Sequence, residues 1–102
     1  MKTKPPILRA TPGRILQEEF LEGFGLSQAE VSSRTGISRT TLNEIIKGKR
    51  PIRAETAFIL GTFFGMNPQF WINLQSQYDL RVIEVEKAAR IRARVQPFKP
   101  AC

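Results

Sequence analysis

Arg39, Thr40, Asn43 and Glu44 lie in one short stretch, RTTLNEII, whose remaining large residues Leu42, Ile45 and Ile46 are apolar. Wound at 3.6 residues per turn, the stretch sorts its polar groups onto one face and its apolar groups onto another. The polar face has the chemistry for reading base edges. Arg39 would donate to guanine O6 and N7, Thr40 would touch a base or a thymine methyl, and Asn43 or Glu44 would reach a further edge. Around them stand groups suited to phosphate: Gln28, Ser38, Thr41, Lys47, Lys49 and Arg50. Between Gly36 and Arg53 there are five cations (Arg39, Lys47, Lys49, Arg50, Arg53) and one acid, Glu44. An ordinary helical hairpin with a polar outer face would mix the signs more evenly, so the bias favours a polyanion as partner.

Two local start signals place this stretch on a helix and set another helix before it. Ser27 caps the first, with Glu30 three residues on as a reciprocal capping box, while Leu26 and Val31 form a hydrophobic staple. Ser38 caps the second, with Ile37 and Leu42 as its staple, and Gly36 turns the chain between them. The second helix runs from about Ser38 to near Gly48. The result is a helix-turn-helix whose second helix is suited to a DNA major groove.

The flanking sequence supplies the support. Thr11 caps an opening helix with Pro12 at its first position; Ile15, Leu16, Phe20 and Leu21 form its buried stripe, and Gly23 and Gly25 end it. After Pro51, the span from Arg53 to Phe64 is a fourth helix with Ala57, Leu60, Gly61 and Phe64 at helical steps, closed by Gly65. Asn67 and Pro68 start a fifth, with Met66 and Trp71 at staple positions. Trp71, Leu74 and Tyr78 share one face, read as core packing and not as a cofactor box. RVIEVE (81–86) has β-branched residues enough for a short strand, but its neighbours favour helix, and helix is the reading taken. A single helix from Pro68 to about Arg94 would be roughly 40 Å long. Part of it would project beyond a domain of this size. Leu80, Val82, Ile83 and Val85 then mark a homodimer or partner contact, with folding back onto the bundle as the alternative.

Length and charge bound the rest. The chain has 102 residues, 41% hydrophobic and 25% charged, enough for one modest core. Its formal net charge is +7 and its pI is about 10.3, which points to nucleic acid before a membrane surface. No apolar stretch approaches the roughly 20 residues of a membrane span, and MKTKPPILRATPG lacks a signal peptide's apolar core, so the cytoplasm is expected. Cys102 is the single cysteine and there is no histidine. A Cys and His zinc site and a histidine-activated nucleophile are therefore both out of reach. Gly48 and Lys49 do not end a phosphate-binding loop, because Asn43 and Arg50 occupy the places of its first glycine and its Ser or Thr. No metal, cofactor or enzymatic activity is expected. Residues 1–10 read as an N-terminal arm, 11–80 as the DNA-binding domain, and 81–102 as a helical extension with a basic tail carrying Lys87, Arg90, Arg92, Arg94 and Lys99.

Taken together, the segments PGRILQEEFLE, GLSQAEVSSRTGISRTTLNEIIKGKRPI and FFGMNPQFWINLQSQYDL resemble the XRE/Cro helix-turn-helix class, and more narrowly antitoxins of the HigA type. The resemblance covers about Pro12 to Leu80. Its discriminating part is the third segment, where Phe70, Trp71, Asn73, Leu74, Gln75, Tyr78, Asp79 and Leu80 match. Arg14 departs from the family, which often has an acid there, and the tail after Val85 matches nothing in it. The resemblance implies an all-α, five-helix, lambda-repressor-like domain with a long C-terminal helix. It implies a type II antitoxin that binds its own operator, a double-stranded DNA, as a homodimeric autorepressor and neutralises a cognate HigB-like mRNA interferase. A stand-alone regulator of the XRE family without a toxin is the alternative.

Overall fold

The structure is a computed structural model that describes residues 10–101. The expected N-terminal arm lies outside the described residues except for Ala10, as does Cys102. Among the described residues the chain forms six helices and no strand. The first, α1, spans residues 12–24 in three consecutive stretches: α-helical Pro12–Ile15, π-helical Leu16–Leu21 and α-helical Glu22–Phe24. Then follow α2 (Gln28–Thr35), α3 (Arg39–Ile46), α4 (Ala54–Phe64), α5 (Gln69–Glu86) and α6 (Ala88–Arg94).

The local signals act as their chemistry demands. The Thr11 hydroxyl accepts from the Arg14 N–H at 3.1 Å with Pro12 following it, the Ser27 hydroxyl from Glu30 N–H at 3.0 Å, and the Ser38 hydroxyl from Thr41 N–H at 3.1 Å. The Glu30 side of the capping box differs: its carboxylate faces Arg34 at 3.9 Å. Asn67 caps α5 through its side chain, accepting from Gln69 N–H at 2.9 Å. Gly36 turns the chain with φ 83° between α2 and α3. Gly23 stays helical, and Gly25, with φ 68°, is the stop of α1.

The π-helical stretch has a packing consequence. Leu16 and Leu21 are both fully buried, although residues five apart in an α-helix point roughly 140° away from each other. The wider turn, seen in the Glu22 N–H bonded to the Gln17 carbonyl, brings the two onto one face. They join Val31, Leu42, Ile45, Ile52, Leu60 and Trp71 in a single core. Trp71 is the largest fully buried side chain. Its ring centroid lies 4.8 Å from that of Phe20, and Phe70 meets it edge-on at 5.2 Å. The core role expected of this stripe is thus filled by Trp71, with Leu74 and Tyr78 half-buried.

The continuous helix expected from Pro68 to Arg94 is not formed. It breaks at Lys87, whose φ of −131° and ψ of −12° leave the helical region. The turn comes just after Val82, Ile83 and Val85, β-branched residues that hold a helix weakly. It buries Ala88 and brings Arg92 Nη2 to within 3.2 Å of Glu84 Oε1. So α6 turns against the end of α5, while Leu80, Ile83 and Val85 remain exposed and Val82 is half-buried. No helix among the described residues is long and apolar enough to cross a membrane.

The first turn of α1 meets the end of α3 backbone to backbone. A Cβ on Gly13 would run into the Ile45 carbonyl and lie 2.8 Å from Ile46 Cα, a gap that no side chain can relieve by rotating. Gly13→Ala should therefore destabilise the domain by about 2 kcal/mol or more, a fall of roughly 10 °C in Tm. Thermal unfolding followed by circular dichroism measures it, and an unchanged midpoint would show that the two helices do not need this contact.

Candidate nucleic-acid interface

Helix α3 is fastened from behind. Leu42 and Ile45 are buried, with Ile37 just ahead of the helix buried as well, and the turn from α2 is bound by side chains. Thr35 Oγ1 donates to the Val31 carbonyl at 2.6 Å and accepts from Ile37 N–H at 3.2 Å; Ser32 Oγ donates to the Ile37 carbonyl at 2.6 Å. The bonds to Ile37 satisfy backbone groups that the turn leaves without helical partners, and the Thr35 bond to Val31 is back-bonding one turn along the helix. Ser32 and Thr35 were not singled out from sequence. Their signal was there, as hydroxyl residues flanking a turn glycine.

With the rear fixed, the opposite face of α3 is open. Arg39, Thr40, Asn43, Glu44 and Lys47 line one depression of about 440 Å³ together with Gln28 at the start of α2 and Lys49 beyond α3. All four residues expected to read bases are therefore brought together with three of the six expected at phosphates. The Asn43 side-chain amide donates to Gln28 Oε1 at 3.3 Å, which ties the two helices of the motif across the depression. Arg39, Lys47 and Lys49 are exposed and have no carboxylate partner among the described residues.

The other three phosphate candidates have internal partners. Ser38 Oγ caps α3 and also lies 2.9 Å from Thr41 Oγ1, to which it donates. A phosphate arriving at either hydroxyl would have to compete with the helix start. Arg50 donates through Nε at 2.9 Å and Nη2 at 2.7 Å to a single oxygen, Glu44 Oε1. The loop that carries Lys49 and Arg50 is in turn held by α5. Ile52 N–H donates to Gln75 Oε1 at 2.8 Å, and Gln75 Nε2 donates to Asp79 Oδ1 at 2.9 Å. The apolar contact candidates Leu80, Val82, Ile83 and Val85 lie past this point on α5 and take no part in the depression.

The helix-turn-helix family pattern matches residues 18–71, from the π-helical stretch of α1 to the buried Trp71. The chain belongs to the XRE/Cro helix-turn-helix family. Virulence-associated protein I of Dichelobacter nodosus is 41% identical to this helix-turn-helix protein over 76 residues, covering 74% of this chain and 70% of that one. Two solved structures are similar over most of their length. The Pseudomonas aeruginosa antitoxin HigA with the higBA promoter has a TM-score of 0.83 at 36% identity, covering 87% of this chain and 97% of that one. The antitoxin GraA in complex with its operator has a TM-score of 0.85 at 31% identity, covering 98% and 99%. The all-helical lambda-repressor-like domain expected from the sequence is the fold that this helix-turn-helix protein has, with six helices among the described residues instead of five because the long C-terminal helix is interrupted at Lys87.

The Ser38 geometry separates capping from any ligand role. Ser38→Ala should lower stability by about 1 kcal/mol, whereas Ser38→Gly should lower it by only a few tenths. Urea unfolding of both variants gives the comparison. Equal stability of Ser38→Ala and the parent would mean that the hydroxyl is free for another use.

Proposed function

We propose that this protein is the antitoxin of a type II toxin–antitoxin system. It binds its own operator as a dimeric autorepressor and neutralises an mRNA-cleaving toxin by direct contact in the cytoplasm. The observation that carries the DNA part is the depression on α3. It gathers three unpaired cations and three uncharged hydrogen-bonding side chains on a face turned away from the core, in a fold similar to two antitoxins seen with promoter or operator DNA. Arg39, Thr40, Asn43 and Glu44 read base edges in the major groove, and Gln28, Lys47 and Lys49 hold phosphates around them. The protein acts by binding. Its partners are double-stranded operator DNA, a second copy of itself and the cognate toxin.

Dimerisation belongs to the mechanism because one recognition helix spans too few base pairs for useful selectivity, and two-fold half-sites lie about one helical turn apart. The exposed side chains Leu80, Ile83 and Val85, with half-buried Val82 beside them, supply the contact. Ile83→Asp should give monomers by light scattering and weaken operator binding; a dimer unchanged in mass would place the contact elsewhere.

Co-purification of the tagged protein from cells carrying its native locus, with a mobility shift on the upstream promoter fragment, tests the whole reading. A stoichiometric small partner and a shift that competitor DNA does not abolish support it. A specific shift with no partner would leave a stand-alone regulator. Within the interface, Arg39→Ala should cost about 1 to 3 kcal/mol on operator and relax specificity at one position, whereas Lys49→Ala should weaken all sequences alike and reduce the salt slope by about one. Equal losses on operator and random DNA for both variants would contradict this division of roles.

A further inference from the structure

The only acid lining the α3 depression is Glu44, and its placement is unusual for a surface meant to meet a polyanion. A carboxylate there repels phosphate and accepts hydrogen bonds without donating any. Yet it is held in place. Arg50 directs two N–H groups at the same oxygen, Oε1, at 2.9 and 2.7 Å, and Oε2 is left without a protein hydrogen bond among the described residues. The pair spans the loop after α3, and the next anchor along that loop is the Ile52 bond to Gln75. One oxygen is thereby fixed to the scaffold, and the other, on a residue that lines the depression, keeps its capacity to accept.

The geometry points to Glu44 as the residue that selects cytosine in the operator, with Arg50 as its positioning residue and not a phosphate contact. This rests on the operator-binding reading above. The choice of base follows from the donor and acceptor pattern of the major groove. Guanine presents two acceptors, N7 and O6, and thymine presents O4 beside a methyl group; a carboxylate is repelled by both edges. Adenine offers a donor at N6, but its N7 acceptor lies alongside. Cytosine presents the N4 amino donor with its own C5–H on one side and only the paired guanine O6 on the other, whereas the adenine donor has an acceptor on each side, and Oε2 can take the cytosine hydrogen. The carboxylate thus works as much by rejecting three bases as by accepting the fourth. The Arg50 charge offsets the negative charge that this requires near the phosphates, and its planar fork fixes the carboxylate's rotation, which a lysine's single ammonium does not.

The test is selection of full-length protein on a randomised duplex pool, read by sequencing, for the parent, Glu44→Gln and Arg50→Lys, with salt titrations on the selected site. The parent should enrich cytosine at one position in each half-site, by roughly five- to 150-fold over the other bases. Glu44→Gln should move that position from cytosine toward adenine, whose N6 and N7 a glutamine can engage together, and should bind random DNA more tightly because the repulsion is gone. Arg50→Lys should lose selectivity at the same position several-fold with its salt slope unchanged. Both substitutions are on exposed or half-exposed side chains, so folding is preserved and is checked by circular dichroism. Retained cytosine preference in Glu44→Gln overturns the assignment. Unaltered selectivity in Arg50→Lys overturns the positioning role. A parent that enriches no sequence at all overturns the operator-binding reading itself, a result distinct from enrichment that ignores Glu44.

Discussion

The close approach of α1 to the end of α3 is the constraint on which the rest of the molecule depends. A helix that must present one whole face to a ligand can be held only from the other. Here that hold is made by Leu42 and Ile45, both buried, and by the Gly13 backbone against the Ile45 carbonyl and Ile46 Cα. Because α1 comes so near, its remaining length must cover the core at a fixed register. The π-helical turn through Leu16–Leu21 meets that demand by pointing both terminal leucines inward. Phe20 then falls beside Trp71, which draws the start of α5 into the same core. The position of the exposed face of α3 is thus set by backbone contacts and shape before any of its own side chains contribute.

This arrangement separates stability from recognition by magnitude. Each fully buried Leu or Ile is worth roughly 1.5 to 3 kcal/mol on burial, whereas exposed ion pairs such as Arg14 with Glu18 contribute about 1 kcal/mol at most. The front of α3 carries almost nothing the fold requires. Arg39, Lys47 and Lys49 can stand unpaired without endangering it, and their donors remain available to a ligand. The Glu44 and Arg50 pair fits the same logic. As an exposed pair it adds little to stability, so its two short bonds are better understood as fixing an orientation than as holding the domain together.

What was legible in the sequence was what is local. Ser27, Ser38 and Gly36 act within a few residues of themselves, and each does in the structure what its type and spacing dictate. The membership of the depression was legible too, since helical periodicity alone puts Arg39, Thr40, Asn43, Glu44 and Lys47 on one side. What escaped was non-local or came from competition. Nothing near Gly13 announces that another helix's carbonyl will lie against it. A six-residue π-helical turn has no compositional mark, because its cause is the need to bury Leu16 and Leu21 together. The break at Lys87 sets weak helix formers against neighbours that favour helix, and the contact between Arg92 and Glu84, eight residues apart, exists only once the chain has turned. Only the family resemblance marks Gln75 in the sequence. Its bond to Ile52 shows what the residue does here, which is to hold the loop that follows α3.

That bond gives α5 a second task. The chain from Ile52 through Gln75 to Asp79 joins the loop bearing Lys49 and Arg50 to a helix whose far end exposes Leu80, Ile83 and Val85. Gln75 and Ile83 are eight residues apart, about 12 Å along an α-helix, and the helix between them is unbroken. A rod this short does not bend appreciably. The Ile52 to Gln75 bond thus links the loop that follows α3 to the helix whose far end is exposed. Under the proposed function, the exposed end of α5 at Leu80, Ile83 and Val85 would set the spacing of half-sites, and the α3 depression with Arg39, Thr40, Asn43 and Glu44 would choose the bases. No side chain lines both the α3 depression and the exposed apolar end of α5.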